Sequence, residues 1–207
     1  MSTAQISKHR LGILLSGRGS NFLAIADSIA QGRLPDAEIA VVISNLADAP
    51  GFTAARERGF HAVAIEANGR KRAEHDLEII ETLRQHDVEL VCLAGYMRLL
   101  SPGFIQAFPQ RILNIHPSLL PAFPGLHAQQ QAFDYGVRVA GCTVHFVDEE
   151  LDHGVIVTQR AMAVTESDTA ETLSSRLLVG EHAAYTEAIQ LVLSGDYRIE
   201  GRRYIRA

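Results

Sequence analysis

Leu11-Gly12-Ile13-Leu14-Leu15 is a short, continuous apolar run that leads directly into Ser16-Gly17-Arg18-Gly19-Ser20-Asn21. Such a run reads as a strand covered on both faces, which confines the chain to sheets packed on either side. The pattern then repeats. A helix is predicted over about 22–30, a second strand over 39–43, a helix near 52–58 that stops at Gly59, and a third strand over 61–65. Residues 72–85 carry Leu77, Ile80 and Leu83, with Ile79 beside them, at helical spacing. Residues 90–94 and 111–115 read as a fourth and a fifth strand. Alternating strands and helices predict an α/β, Rossmann-like architecture with a mostly parallel twisted sheet flanked by helices. Ligands of such sheets bind beyond the carboxyl ends of the strands, where Gly17, Gly95 and His116 fall.

The second half changes character. Residues 141–147 and 154–164 are strand-like and are separated by Asp148-Glu149-Glu150-Leu151-Asp152-His153. So short a polar segment suggests an antiparallel, hairpin-like connection. A long helix is predicted over 169–193, with Thr169 and Thr172 near its start and Gly195 past its end. There is no internal repeat, low-complexity segment or linker, so a single domain over 1–207 is the simplest organisation.

With 207 residues, the chain suits one substantial domain with a real core, and 47 % apolar residues exclude a mainly disordered chain. A net charge of −5 argues against a general nucleic-acid surface, while leaving room for a local pocket for a small anion. No run reaches the length needed to span a bilayer, and residues 1–10 lack the apolar core of a signal peptide. Cys92 and Cys142 sit in apolar runs and read as buried thiols of a reducing cytoplasm.

Gly17-Arg18-Gly19-Ser20-Asn21 joins a strand to a helix. Glycines there let the backbone approach a ligand, and a helix start offers N–H groups to a phosphate. The same residues also describe an ordinary tight turn with Ser20 or Asn21 capping the helix. A dinucleotide fits poorly, because Phe22 occupies the third glycine position and Ser44-Asn45 offers no acid for a ribose. A phosphate monoester fits better.

Leu113-Asn114-Ile115-His116-Pro117 places an amide and an imidazole on one face of a strand end. That pair suits the polarisation of a carbonyl and the handling of a proton, although a satisfied polar pair reads the same way. Asp152, flanked by Leu151 and His153-Gly154, would orient His116 if it lay nearby. His145 on its strand reads most simply as packed and hydrogen-bonded, and Glu181 as a surface residue of the last helix. Nine histidines raise the question of a metal, but no HExxH, CxxC or paired-histidine motif is present, so none is expected.

These pieces resemble the phosphoribosylglycinamide formyltransferases, the folate-dependent glycinamide ribonucleotide transformylases of purine synthesis. The resemblance runs over about 11–195. It rests on Leu15-Ser16-Gly17-Arg18-Gly19-Ser20-Asn21, Val42-Ile43-Ser44-Asn45, Leu93-Ala94-Gly95-Tyr96-Met97-Arg98-Leu99-Leu100-Ser101 and Asn114-Ile115-His116-Pro117-Ser118-Leu119-Leu120-Pro121. Pro124-Gly125-Leu126-His127, Thr143-Val144-His145-Phe146-Val147, Leu151-Asp152-His153-Gly154 and Glu181-His182 complete it. Each motif is weak to moderate alone, and their order and spacing together are specific.

The resemblance implies a single formyltransferase-fold domain, with a phosphate- and nucleotide-binding half over 1–100 and a folate-binding, catalytic half over 101–207. It implies Asn114, His116 and Asp152 as the catalytic trio, supported by His145 and Thr143. Gly19, Ser20 and Asn21 fall on the substrate phosphate loop, and Glu181 on a ribonucleotide contact. Met97, Arg98, Leu99, Val147 and Asp148 fall on the folate pocket. A cis peptide at Leu120-Pro121 is implied as well. The donor would be 10-formyltetrahydrofolate and the acceptor glycinamide ribonucleotide, with no metal, nucleic-acid or membrane partner, in a cytoplasmic monomer or homodimer.

Three positions depart from the family pattern: Arg18 in the phosphate loop, Tyr96 in place of a usual Phe, and His153 where Gly or Ala is common. The rival readings are a formyltetrahydrofolate deformylase, which usually carries an added N-terminal domain, and a non-catalytic module that binds a phosphorylated metabolite. A tRNA formyltransferase would need a further C-terminal domain.

Overall fold

A computed structural model describes residues 8–207. Residues 1–7 of the segment 1–10 considered above therefore lie outside the described residues. The chain packs as two compact units, the first running to Arg111 and the second from Ile112 to Ala207.

The first unit contains β1 (His9–Leu15), α1 (Ser20–Ala30), β2 (Ala37–Ser44), α2 (Pro50–Glu57), β3 (Ala62–Ala64), α3 (Arg72–Gln85), β4 (Leu90–Leu93) and α4 (Pro102–Ala107). Its strands run parallel in the order β3-β2-β1-β4. Leu11, Ile13, Leu14 and Leu15 are fully buried, as a continuous apolar strand requires. The α3 face differs from the periodicity reading. Leu77 is 64 % exposed, while His75 and Asp76 are buried with Ile79, Ile80 and Leu83. The two polar groups have local partners that allow this: His75 Nε2 lies 2.7 Å from the Ile65 carbonyl, and Asp76 Oδ2 accepts the Ser101 N–H at 2.6 Å.

The second unit contains β5 (Ile112–His116), α5 (Ala128–Tyr135), β6 (Val139–Phe146), β7 (Ile156–Ala163), α6 (Ala170–Ser194), β8 (Tyr197–Glu200) and β9 (Arg203–Arg206). β5, β6 and β7 pair antiparallel in that order, β9 joins β7 in parallel, and β8 closes antiparallel on β9. Thr169 and Thr172 form a reciprocal capping box at the start of α6, and Gly195 ends it in the left-handed conformation. Leu173, Leu177, Ala184, Tyr185, Ala188 and Ile189 bury its inner face, and the Tyr185 hydroxyl donates to the Leu113 carbonyl at 3.0 Å. This is the α/β class expected from the sequence, parallel first and antiparallel later. The short α4 and α5 and the β8–β9 hairpin carry too little apolar periodicity to be read in advance.

Candidate active site

The β5–β6 register sets Asn114 opposite His145 and His116 opposite Thr143, so these four side chains share one face. Asn114 Nδ2 donates to His145 Nε2 at 3.3 Å, and His145 Nδ1–H donates to the Phe146 carbonyl at 2.8 Å. That pair of contacts selects the neutral imidazole with its lone pair on Nε2. Burial holds the His145 pKa below the ordinary histidine value, against the opposing pull of the Phe146 carbonyl and the Asp152 charge. One Asn114 amide hydrogen is thus committed to His145, and the second is left to serve another acceptor.

His116 is 5 % exposed. Its Nε2 donates to the Phe123 carbonyl at 2.8 Å, and its Nδ1 lies 3.4 Å from Asp152 Oδ2. The His116 Nε2 proton is therefore held by the Phe123 carbonyl in this structure. Asp152 Oδ2 also accepts the Gly125 N–H at 2.8 Å, and Oδ1 stands 3.9 Å from His145 Nε2. The carboxylate expected near His116 is there, and the same loop that supplies Phe123 also holds that carboxylate.

That loop follows an unusual backbone path. Phe123, Gly125 and His127 all take positive φ, as does Asp152 at 50°. Such conformations in bulky residues persist only where their surroundings impose them, and they gather at functional sites. Thr143 supplies part of that support: its hydroxyl donates to the Ser118 carbonyl at 2.7 Å and accepts from Leu120 N at 3.1 Å and Gln159 Nε2 at 3.0 Å. The Leu120–Pro121 peptide is cis. Gly154 follows the Asp152 turn where a Cβ would sit 1.8 Å from the Phe146 carbonyl oxygen, so only glycine lets this chain turn back against β6.

In the first unit, Gly19 takes φ 74° as the N-cap residue of α1 and, being glycine, brings no capping side chain. The alternative in which Ser20 or Asn21 caps α1 is thereby set aside: α1 begins at Ser20 itself. The first N–H groups of such a helix have no carbonyl within it, which suits an anion. The loop packs on the start of α2. Gly51 N–H donates to the Gly17 carbonyl at 2.9 Å, and a Cβ on Gly51 would fall 2.8 Å from Gly19 Cα. Arg18 is exposed.

Met97 and Leu99 are 65 % and 52 % exposed, while Arg98 lies half-buried beside Tyr96. Burial and the Asp76 charge raise the Tyr96 phenol, with Arg98 opposing them. Val147 and Asp148 are half-buried, and the Val147 N–H donates to the Ile112 carbonyl at 2.9 Å. Asp148 Oδ2 accepts His153 Nδ1–H at 2.8 Å, and Arg202 donates to His153 Nε2 at 2.7 Å and to the His153 carbonyl. His153 is thus bracketed between an acid and a C-terminal arginine. Glu181 is 6 % exposed rather than on the surface, because it lies on the inner face of α6. Burial and the Glu181 charge push the Cys142 thiol up to about 12. Cys92 and Cys142 are both buried.

The structure therefore gathers Asn114, His116, Asp152, His145 and Thr143 at one strand end and its loops. Phe123, Gly125, Ser118 and Gln159 join them, none of which the sequence reading assigned a role. Their part is played through backbone atoms and a long-range amide, and neither leaves a pattern along the chain. Ser118 and Gly125 stand in the quoted motifs, without a role, and Phe123 and Gln159 in none. No group of three or more His, Cys, Asp or Glu side chains arranged to hold a metal occurs among the described residues, and among them no helix is long and apolar enough to cross a membrane.

A family model described as "Formyl transferase" matches residues 9–189. The phosphoribosylglycinamide formyltransferase of Bacillus subtilis is 42 % identical over 92 % of this chain and 98 % of its own length. The trifunctional purine biosynthetic protein adenosine-3 of Bos taurus is 44 % identical over 95 % of this chain, which spans about a fifth of that relative's length. The crystal structure of glycinamide ribonucleotide transformylase 1 from Symbiobacterium toebii, 48 % identical, superposes with a TM-score of 0.94 over all of this chain and 98 % of that one. A match across most of the chain, in sequence and in fold alike, places this protein in the formyl transferase family.

Proposed function

We propose that this chain transfers the formyl group of 10-formyltetrahydrofolate to the amine of glycinamide ribonucleotide, giving formylglycinamide ribonucleotide and tetrahydrofolate in purine synthesis. The observation that carries the proposal is the meeting of Asn114, His116 and Asp152 in one cluster, where Asn114 bonds His145 and Asp152 stands within 3.9 Å of both imidazoles, in a chain of this family. On this reading residues 1–207 act as one formyltransferase domain of a cytoplasmic enzyme.

The amine nitrogen attacks the formyl carbon, a C–N bond forms, and the carbonyl oxygen gains negative charge. Asn114 meets that charge with the amide hydrogen not used on His145. His116 supplies a second donor once its Nε2–H exchanges the Phe123 carbonyl for the reacting oxygen. Asp152 holds the imidazolium and accepts, directly or through a water, the proton that the amine loses. The carbonyl then re-forms as the bond from the formyl carbon to the folate nitrogen breaks, and that nitrogen takes the proton that the amine gave to Asp152. No metal is needed for any of these steps. Gly19, Ser20 and Asn21 serve the ribonucleotide's phosphate and Glu181 another of its polar groups. Met97, Arg98, Leu99, Val147 and Asp148 serve the folate.

The test is formyl transfer itself, with folate release followed in the wild type and in Asp152→Asn. Release that requires the ribonucleotide and collapses in the variant is expected. Release without the ribonucleotide would make the protein a deformylase. A folded protein that releases nothing would leave a binding module.

A further inference from the structure

Ser16 and Asn45 stand outside every role assigned so far, yet Ser16 joins three loops of the first unit. It directly follows β1, and the pairing of Leu15 with Ser44 brings it alongside Asn45, the first residue after β2. Its N–H donates to the Gly95 carbonyl at 3.1 Å. Its hydroxyl oxygen accepts the Met97 N–H at 2.8 Å and, having one proton to give, donates it to Asn45 Oδ1 at 2.5 Å. Ser16 is 7 % exposed, so water cannot readily replace these partners.

The residues on either side give the contact its meaning. Gly17 and Gly19 follow Ser16 and lie against Gly51, in the first turn of α2, the helix to which the connection opened by Asn45 leads. Met97 opens the Met97-Arg98-Leu99 segment, with Met97 and Leu99 exposed, and beyond it Asp76 accepts the Ser101 N–H. One hydroxyl therefore sets the front of the folate segment, and its own backbone sets the start of the phosphate loop.

We propose that Ser16, held by Asn45, is a positioning residue that ties the phosphate loop to the folate segment, so that both substrate sites depend on one hydrogen-bonded chain. This inference rests on the functional reading above. Deleting the hydroxyl leaves the Met97 N–H and Asn45 Oδ1 unpartnered together, and both loops loosen.

The test measures binding of glycinamide ribonucleotide alone and of tetrahydrofolate alone by calorimetry, with KM and kcat, in five proteins: wild type, Ser16→Ala, Asn45→Leu, Asn45→Asp and the Ser16→Ala/Asn45→Leu double variant. Ser16→Ala is expected to weaken both ligands about fivefold to tenfold while kcat at saturation changes less than about threefold. Asn45→Leu weakens both in the same sense, and Asn45→Asp, which keeps an acceptor oxygen, recovers most of the loss. The double variant is no weaker than Ser16→Ala, because both changes break one chain of bonds. Loss confined to one ligand, a fall in kcat alone, or additive losses would overturn the inference. Should Ser16→Ala fail to fold, the half-buried Asn45 pair decides alone: equal affinities of Asn45→Leu and Asn45→Asp overturn the proposal. Absence of ribonucleotide-dependent transfer in the wild type would overturn the functional reading instead, and that is a separate measurement.

Discussion

Asn114 gives one amide hydrogen to His145 Nε2 across the β5–β6 ladder, and His145 gives its own proton to the Phe146 carbonyl. Together the contacts decide which end of the Asn114 amide is the donor. A buried histidine on a strand thus acts as the orienting partner of the residue proposed to stabilise the reacting oxygen.

That relationship depends on His145 staying neutral. Burial lowers its folded pKa, whereas in the unfolded chain it protonates near the ordinary value of 6.5. Below about pH 6.5 the unfolded state therefore binds a proton that the folded state refuses, and stability falls as pH falls. Urea unfolding across pH 5–8 should show this decline, and His145→Gln should flatten it. An unchanged slope in the variant would count against His145 as its source.

Asn114→Ala removes a donor aimed at developing charge. The expected loss is about 10²–10³ in kcat with little change in either KM. A variant that raised KM and kept kcat would make Asn114 a binding residue only.

Asp152→Asn retains an oxygen for the Gly125 N–H, so the loop contact survives while the negative charge beside His116 disappears. kcat/KM should fall about 10²–10⁴, the usual worth of a positioned acid or base. The thermal unfolding midpoint reports whether the fold is intact, and full activity in a folded variant would remove Asp152 from the mechanism.

Gly51→Ala tests the phosphate loop without touching the catalytic cluster. Its new Cβ would press on Gly19 Cα and the Gly17 carbonyl, at 2.8 and 2.9 Å. Forcing a methyl group into such a contact costs about 1–3 kcal/mol. The ribonucleotide KM should rise about tenfold or more with the folate KM little changed. Equal effects on the two substrates would mean that the loop serves both.

The alternation of apolar runs and helices over 11–115 was legible because burial on both faces leaves no other composition for β1, β2 and β4. The polar interruption between β6 and β7 was legible for the opposite reason, since so short a segment allows only an antiparallel return. On α3 the periodicity misplaced Leu77, because the hydrophobic pattern does not record that Asp76 finds the Ser101 N–H and His75 the Ile65 carbonyl. Glu181 was misjudged likewise: a charged residue in mid-helix reads as surface unless its neighbours across the core are known.

By itself the sequence determined the α/β class, the glycine loop before α1, and Asn114 and His116 on one face, all of which follow from neighbours a few residues apart. Only tertiary structure decided that Asp152 lies 3.4 Å from His116, that Phe123 and Gly125 hold the two in place, and that Ser16 reaches both Asn45 and Met97. Those contacts join residues separated by up to 81 positions. Hydrogen bonds to backbone groups depend on where strands and loops end in space, and no side-chain pattern along the chain encodes that distance.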